Sequence, residues 1–117
     1  MTIAPGGTSL ARGLELVEIL TAAGVRATVD PRSATPPCVL VTPPERTYDL
    51  TCGYTARWKL WALAPGPGNA DAWAALDELV DKVRTVLDVE RATFASYALA
   101  VDSPTVPAYQ LDVVEGI

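Results

Sequence analysis

The sequence predicts an α+β fold, in which a mostly antiparallel sheet is covered on one face by two helices. Two segments, beginning near residues 9 and 69, have the apolar spacing of amphipathic helices, and five others have the composition of strands. Their order along the chain is α-β-β-β-α-β-β. A strand–helix–strand repeat with the spacing of a parallel sheet does not occur, and this favours antiparallel or mixed pairing with both helices packed on one face.

The composition is that of one globular domain without an evident catalytic site. Half of the 117 residues are hydrophobic and 20% are charged, so the chain can bury a core. A net charge of −5 disfavours broad binding to phosphates, and the absence of histidine removes the commonest general base and metal ligand. Neither a signal peptide nor a membrane-spanning stretch is recognisable. We therefore expect a cytosolically made protein that is not an enzyme and has no cofactor, no metal and no membrane association.

The first helix is predicted to follow a flexible arm at residues 1–7, where Pro5, Gly6 and Gly7 oppose regular structure. Thr8 or Ser9 is suited to cap the helix, and Gly24 is suited to end it in a left-handed conformation. Residues 8–117 then form the single domain. The apolar residues of this helix that we expect to face the core are Leu10, Leu14, Val17 and Leu20.

Three strands are predicted between the helices. Residues 25–29 alternate and are β-branched, residues 38–41 are uniformly apolar, and residues 50–63 alternate between one apolar and one mainly polar face. Pro43 and Pro44 end the second of these strands, and residues 45–49 are expected to be a polar connection.

The second helix is predicted from Asn69, a suitable N-cap, to about residue 87. Residues 71–90 contain six acids and two bases, so much of the negative charge lies here. Two strands follow, at residues 92–101 and 108–115. The residues of the helix expected to face the core are Trp73, Leu76, Val80, Val83 and Leu87.

Few residues suggest catalysis. Cys38 and Cys52 can approach each other if their strands form a hairpin, but they lack a Cys-x-x-Cys spacing and a basic neighbour, and they also suit a buried core. Asp77 and Asp81 are four residues apart and can share a cation, or they simply form a solvated stripe. Residues 66–68, Gly-Pro-Gly, lack the lysine and the glycine spacing of a phosphate-binding loop.

The polar face of the long strand has a further possible role. Arg57 and Lys59 alternate with Trp58 and Trp61, a pattern that suits contact with nucleic acid, contact with an acidic helix of a neighbouring copy, or plain solvation. The acidic chain favours the second of these over nucleic acid.

The order of these features resembles a known family. After the first helix come Gly24-Val25-Arg26 and Asp30-Pro31, then residues 36–41 (Pro-Pro-Cys-Val-Leu-Val) and the strand residues 54–60 (Tyr-Thr-Ala-Arg-Trp-Lys-Leu). The loop at 65–70 (Pro-Gly-Pro-Gly-Asn-Ala) precedes Trp73 and Leu76, and Pro107-Ala108-Tyr109 opens the last strand. Over residues 8–114 this combination resembles the tail terminator, or tail-completion, proteins of long-tailed phages that infect actinobacteria.

The resemblance implies a structural protein of the virion. Members of that family are small α/β subunits, with two helices over a sheet, that assemble into a hexameric ring. The ring caps the tail tube, ends its polymerisation and docks the tail to the head connector. The implied partners are other copies of the chain, the tail tube protein and the head–tail connector protein, while DNA passes through the bore without specific binding. The implied location is the head-proximal end of the tail, after synthesis in the host cytoplasm, and the family contributes no catalytic residue.

Two sets of residues are candidates for these contacts. The subunit interface is predicted to join the strand face with Arg57, Lys59 and Trp61 to the helix face with Asp77, Glu78 and Asp81 of the next copy. The tube or connector contact is predicted at Pro44, Glu45, Arg46 and Thr47, together with the arm at 1–7.

Three other functions remain open from the sequence. The first is another neck or head–tail joining protein. The second is a small non-catalytic α+β module that binds a ligand beside Trp58, Trp61 and Trp73. The third is a small hydrolase that depends on a thiol or on the Asp77–Asp81 pair.

Overall fold

The computed structural model describes residues 5–48, 54–65, 70–98 and 105–116. Within these ranges the chain forms two helices and six strands, with a short 3₁₀ turn at Pro31–Ser33. The helices are α1 (Pro5–Ala22) and α2 (Ala70–Val86). The strands are β1 (Ala27–Thr28), β2 (Cys38–Val41), β3 (Glu45–Tyr48), β4 (Tyr54–Leu63), β5 (Val89–Ala98) and β6 (Thr105–Gly116).

The six strands form one sheet. Five of them follow the order β1-β2-β4-β6-β5, and the sixth, β3, pairs with β4. Only β1 and β2 are parallel among the described pairs, and the other four pairs are antiparallel. β3 pairs with the first half of β4 and β2 with the second half. Because β6 occupies the opposite side of β4 from Thr55 to Leu63, β3 and β2 lie on the same side of β4. The predicted, mostly antiparallel sheet is confirmed.

Both helices pack on the same face of this sheet, as predicted, and we call it the helix face. Alternate residues of β4 face the helices, because successive side chains of a strand point to opposite sides. They pack with Leu16 and Leu20 of α1, and with Leu76 and Val83 of α2, in one core. The β4 residues in that core are Ala56, Trp58, Leu60 and Ala62.

The other face of the sheet, which we call the open face, has a smaller apolar cluster at one end. Cys38 and Leu40 of β2 and Leu63 of β4 are fully buried there. Ala34, in the segment after the 3₁₀ turn, packs over them. Toward the other end, the open face carries mostly polar side chains.

Helix α1 differs from its prediction at its start and in its buried stripe. It begins at Pro5, so residues 5–7 of the predicted arm are helical, and residues 1–4 lie outside the described residues. Leu10 and Leu14 are exposed, whereas Leu16 is buried together with Leu20. Since each residue advances the helix by about 100°, Leu10 lies about 80–120° and Leu14 about 120–160° around the helix from Leu16 and Leu20.

The predicted end of α1 at Gly24 is confirmed. Gly24 has φ of +84°, a left-handed conformation that side chains with a Cβ rarely adopt. The amide of Val25 donates to the carbonyl of Leu20 at 2.9 Å, and the amide of Gly24 donates to the carbonyl of Thr21 at 3.0 Å. These two bonds form a Schellman motif, and so they satisfy the last carbonyls of the helix.

The predicted polar connection at 45–49 is wrong, because residues 45–48 form β3. The side chains of this strand are exposed or half-buried on both faces, and so they lack the apolar alternation that reveals a strand in a sequence. Its pairing with β4 arises from the tertiary fold. The element order therefore contains one strand more than predicted, and residue 49, like 50–53 of the predicted long strand, lies outside the described residues.

The second half of the chain follows the prediction with shifted boundaries. Helix α2 buries Leu76 and Val83 as expected, but Trp73 is exposed, while Ala72 and Leu79 are buried instead. The last two strands are β5 and β6 rather than residues 92–101 and 108–115. The predicted cap at Asn69 lies outside the described residues.

Candidate functional site

The three strand residues predicted at the subunit interface share the open face. Arg57, Lys59 and Trp61 are alternate residues of β4 and are all half-buried. Arg57 Nη1 lies 3.5 Å from Glu90 Oε1, and Arg57 pairs across the ladder with Glu45 of β3. Trp61 packs against Tyr97 of β5, with 4.9 Å between ring centroids. Two of the three side chains therefore already have partners within the chain.

Lys59 is differently placed. Its cross-strand neighbour is Asp112, which is only 9% exposed and whose Oδ1 accepts a hydrogen bond from Gln110 Nε2 at 3.2 Å. Lys59 forms no ion pair with any described residue.

The open face is close to neutral overall. Strands β3 to β6 carry three bases and three acids on this face, so acids of the same chain balance Arg57 and Lys59. The bases are Arg57, Lys59 and Arg91, and the acids are Glu45, Glu90 and Asp112.

The acidic residues of α2 lie on the opposite side of the molecule. Asp77, Glu78 and Asp81 are all exposed, and α2 covers the helix face of the sheet. Glu78 Oε1 lies 3.2 Å from Lys82 Nζ, an i, i+4 pair on the helix surface. Each predicted set is thus brought together, and the two sets lie on opposite sides of one chain, where only a second copy can join them.

The residues predicted to contact the tube or connector lie in and beside β3. Glu45 and Thr47 are exposed, while Pro44 and Arg46 are half-buried. Arg46 Nη2 donates a hydrogen bond to Ser9 Oγ of α1 at 3.3 Å. The segment is therefore held to the sheet and to α1, and it forms part of one rim of the molecule.

An apolar cavity of about 160 Å³ opens beside this rim, under the first half of α1. The sequence analysis did not predict it, although Pro43 and Pro44 mark the place where β2 ends. Gly13 of α1 lies over the ring of Trp58, and a Cβ at this position would be in ordinary van der Waals contact with the ring, at 3.6 Å. The residues that form most of its wall are Leu10, Gly13, Val29, Trp58 and the chain from 41 to 44.

A half-buried ion pair, also missed by the sequence analysis, ties α1 to the last strand. Arg12 Nε donates to Glu115 Oε1 at 3.1 Å, and Arg12 Nη1 lies 3.1 Å from Glu15 Oε2. The hydrogen bonds from Arg12 hold the pKa of Glu115 below its ordinary value, and the indole of Trp58 lowers this pKa further. Even so, Trp58 Nε1 is buried and has no acceptor in hydrogen-bonding geometry among the described residues.

The enzyme candidates are not assembled into a site by the described residues. Cys38 is fully buried, and burial raises the pKa of its thiol, which disfavours the reactive thiolate; Cys52 lies outside the described residues. Asp77 and Asp81 are exposed, and within the described ranges no three His, Cys, Asp or Glu side chains are close enough to hold a metal ion.

The three tryptophans are also far from forming one ligand site. Trp58 is buried on the helix face, Trp61 packs on the open face, and Trp73 is exposed on α2. The Gly-Pro-Gly segment at 66–68 lies outside the described residues.

No family model, no curated protein and no solved structure matches this chain. In the described part of the chain, neither helix has the length and apolarity needed to cross a membrane.

Proposed function

We propose that this chain is a structural virion protein whose copies form a ring on the end of a phage tail tube. The ring ends tube polymerisation and docks the tail to the head connector. The observation that supports this most directly is the arrangement of the domain: two helices lie on one face of a single, mostly antiparallel sheet. This is the arrangement that the resemblance to tail terminators implies.

The surface of the domain suits a ring. A closed ring with cyclic symmetry requires that one surface of each subunit meet a different surface of the next. This chain has unlike surfaces on opposite sides, an open sheet face and an acidic helical side. Assembly therefore needs no contact between identical surfaces.

The charge of the chain suits passage of DNA through the ring. Each copy has a net charge of −5. A ring of such subunits repels phosphates on average, so that DNA moves through the bore without being held. The tube and connector contacts belong, in this proposal, to the rim formed by Pro44, Glu45, Arg46 and Thr47.

The test is the mass in solution, measured by light scattering across a concentration series with and without assembled tail tubes. We expect a species of six times 12.4 kDa, alone or only when tubes are present, and tubes that stop growing once the chain is added. An unrelated acidic protein of similar size is the control for nonspecific binding to tubes. A chain that remains a monomer or dimer and leaves tube growth unchanged would contradict the proposal.

A further inference from the structure

Strand β5 is the least protected strand of the sheet. It is the last strand in the described sheet order, so the backbone groups along its outer side have no strand partner there. Of the side chains of β5, only that of Val89 packs against the core on the helix face. Residues 90–94 are all exposed, so both faces of the strand are uncovered there. The helix layer therefore ends before it reaches β5.

Two exposed aromatic side chains flank this uncovered strand. Lys82 of α2 lines a pocket with Gly24, which follows α1, so that flank of α2 faces α1. Trp73 lies about 180° around the helix from Lys82, and it therefore faces away from α1, toward β5. The Trp73 side chain is 65% exposed. Phe94, on the helix face of β5, is 62% exposed and contacts Tyr109 edge-to-face at a centroid distance of 5.8 Å.

Trp73 and Phe94 lie at a similar height along the sheet. Helix α2 is joined to β5 by two residues, so the two elements run in opposite directions. The helix between Trp73 and Val86 spans about 20 Å, and the strand between Val89 and Phe94 spans about 17 Å. The two aromatic side chains therefore belong to one exposed apolar surface.

The outer edge of β5 has no device that prevents pairing with another strand. Residues 92–98 contain neither a charged side chain nor a proline, and exposed edge strands are commonly protected by one or the other. Two charged residues precede this stretch. Glu90 lies 3.5 Å from Arg57 of its own chain, whereas Arg91 forms no ion pair in the described part of the chain.

A second copy of β5 fits this edge. When two identical strands pair antiparallel about a two-fold axis, side chains of the same face lie opposite each other, and one residue lies opposite its own copy. If that residue is Phe94, the two phenyl rings are in contact and Ala92 lies opposite Ser96 of the second copy. On the open face, Arg91 then lies opposite Tyr97 of the second copy, where a guanidinium over an aromatic ring is favourable.

Other registers are less favourable. A pairing centred nearer the start of β5 brings the two Arg91 side chains together, and like charges on neighbouring strands repel. A pairing centred beyond residue 95 moves the two Phe94 rings apart and leaves them exposed. The register centred on Phe94 avoids both costs.

The apolar area suits a stable dimer. Two-fold pairing places the two uncovered strands side by side between the α2 helices of the two copies, so Trp73 of each copy lines the gap above the Phe94 pair. A fully covered aromatic side chain buries about 150–250 Å², so the exposed parts of these four side chains offer roughly 500 Å². This is nearly half of the about 1,200 Å² that a specific interface buries, before the backbone edge and the other exposed residues of β5 are counted.

We propose that the free chain forms a two-fold dimer in which β5 pairs antiparallel with β5 of a second copy, with Phe94 at the axis and Trp73 of both copies covering it. The two sheets then form one sheet of twelve strands. Neighbours in a ring with cyclic symmetry meet through two different surfaces, so the dimer is a state of the chain off the tube that opens before a ring forms. The dimer goes beyond the proposed function and does not depend on it.

The first test is the mass of the full chain without tubes, measured by light scattering across a concentration series. We expect a wild-type species of twice 12.4 kDa. Phe94→Glu removes the aromatic anchor and places two carboxylates opposite each other, so we expect the dissociation constant of the dimer to rise by about 30-fold or more.

Leu14→Glu is the matched control for Phe94→Glu. Leu14 is 47% exposed, and it lies on α1, which contacts β1 and β2 at the other end of the sheet. The same charge is thus added to an exposed apolar residue far from β5, and we expect the dissociation constant to stay unchanged. Circular dichroism of both variants checks that the fold is retained.

The second test determines the register by disulfide cross-linking, with copper phenanthroline as the oxidant and Cys52→Ser as the background, since the remaining Cys38 is buried. Ala92→Cys and Ser96→Cys are each expected to stay uncross-linked alone, because the two copies of each residue are four positions out of register, about 13 Å apart. A mixture of the two variants is expected to cross-link, because directly opposite Cα atoms lie about 4.5–5.5 Å apart, within disulfide range. Non-reducing electrophoresis detects the product of twice 12.4 kDa.

The outcomes separate this dimer from the proposed function. A wild-type chain that stays at 12.4 kDa at every concentration, a folded Phe94→Glu chain that dimerises like the wild type, or cross-linking of either single variant alone overturns the β5 pairing. A free species larger than a dimer, without cross-linking in the mixture, also overturns it. If the dimer and the cross-link form but the chain neither binds nor caps tubes, the dimer stands and the tail function fails. A monomer that caps tubes gives the reverse result.

Discussion

At the scale of single residues, the pair formed by Arg12 and Glu115 is the interaction that best connects the two ends of the chain. The residues are 103 positions apart in sequence. The Arg12 side chain is 30% exposed and that of Glu115 is 20% exposed, so water screens them only in part. No periodicity in the sequence could have indicated this contact, because it depends on α1 crossing the end of β6.

Replacing Glu115 with glutamine tests the contribution of this pair to stability. The pKa of Glu115 is lowered in the folded protein, chiefly by hydrogen bonds from Arg12. The ionised Glu115 side chain therefore stabilises the folded protein at pH values above the ordinary pKa of a glutamate. This stabilisation is lost as the pH falls through the lowered pKa that Glu115 has in the folded protein. We expect Glu115→Gln to reduce the free energy of unfolding by about 1 kcal/mol at neutral pH, and by progressively less in acid.

Urea unfolding of both proteins across a pH series measures this difference. Glu15→Gln is the matched control, since Glu15 pairs with the same arginine but its side chain is 62% exposed. We expect a smaller loss there, within the range of surface ion pairs. Equal losses at neutral pH for the two variants, or a Glu115→Gln effect independent of pH, would contradict the assignment.

At the scale of elements, two glycines have opposite effects, one inside α1 and one just after its end. Gly24 ends the helix with φ of +84°, so a side chain there is strained. Gly13 lies inside the helix, and an added Cβ would meet Trp58 and Val29 at 3.6–3.8 Å, which is ordinary contact. We expect Gly24→Ala to lower the free energy of unfolding by about 1 kcal/mol and Gly13→Ala to raise it by a similar amount.

Thermal and urea unfolding of the two variants and the wild type show whether each substitution raises or lowers the free energy of unfolding. The two substitutions add the same methyl group, one within α1 and one just after its end, so each is the control for the other. Stabilisation by Gly24→Ala would show that the Schellman motif is not formed.

The elements also show what could be predicted from the sequence. The Schellman end of α1 depends on one glycine after an apolar period, and β4 depends on strict alternation; both were predictable because a short local pattern specifies them. β3 was not predictable, since its side chains are mostly exposed and its partner strand specifies its structure. The apolar stripes predict that Leu14 and Trp73 face the core, but both side chains lie on the flanks of their helices and are exposed.

Some features of the candidate contacts were likewise predictable from the sequence, and others were not. Alternation along β4 correctly placed Arg57, Lys59 and Trp61 on one face. It could not show that Glu90 and Asp112, from the last two strands, would neutralise that face. The cavity under α1 has walls from both helix and sheet segments, so only the assembled fold brings its residues together.

At the scale of the whole molecule, the contact predicted from the sequence joins the open face of one copy to the acidic side of α2 of the next. Such a contact stacks copies along the normal to the sheet. One ring with cyclic symmetry uses a single kind of contact between each pair of neighbours, so a substitution on the open face tests this contact directly.

Lys59→Glu is that substitution. If the open face meets Asp77, Glu78 and Asp81 of the next copy, charge reversal places like charges together and dissociates the ring. Light scattering across a concentration series compares this variant with the wild type, and assembly that is unchanged within twofold would exclude the stacked contact.

Two further variants make the outcome decisive. Lys59→Met removes the charge without adding an acid beside the buried Asp112, and so it separates a lost contact from a destabilised fold. Asp81→Lys reverses the other side of the contact predicted from the sequence. Dissociation by Lys59→Glu with recovery in the Lys59→Glu, Asp81→Lys double variant would establish the stacked contact. Retained assembly in all three single variants would mean that other surfaces join the copies, and the open face is then available to line the bore or the outer wall of the ring.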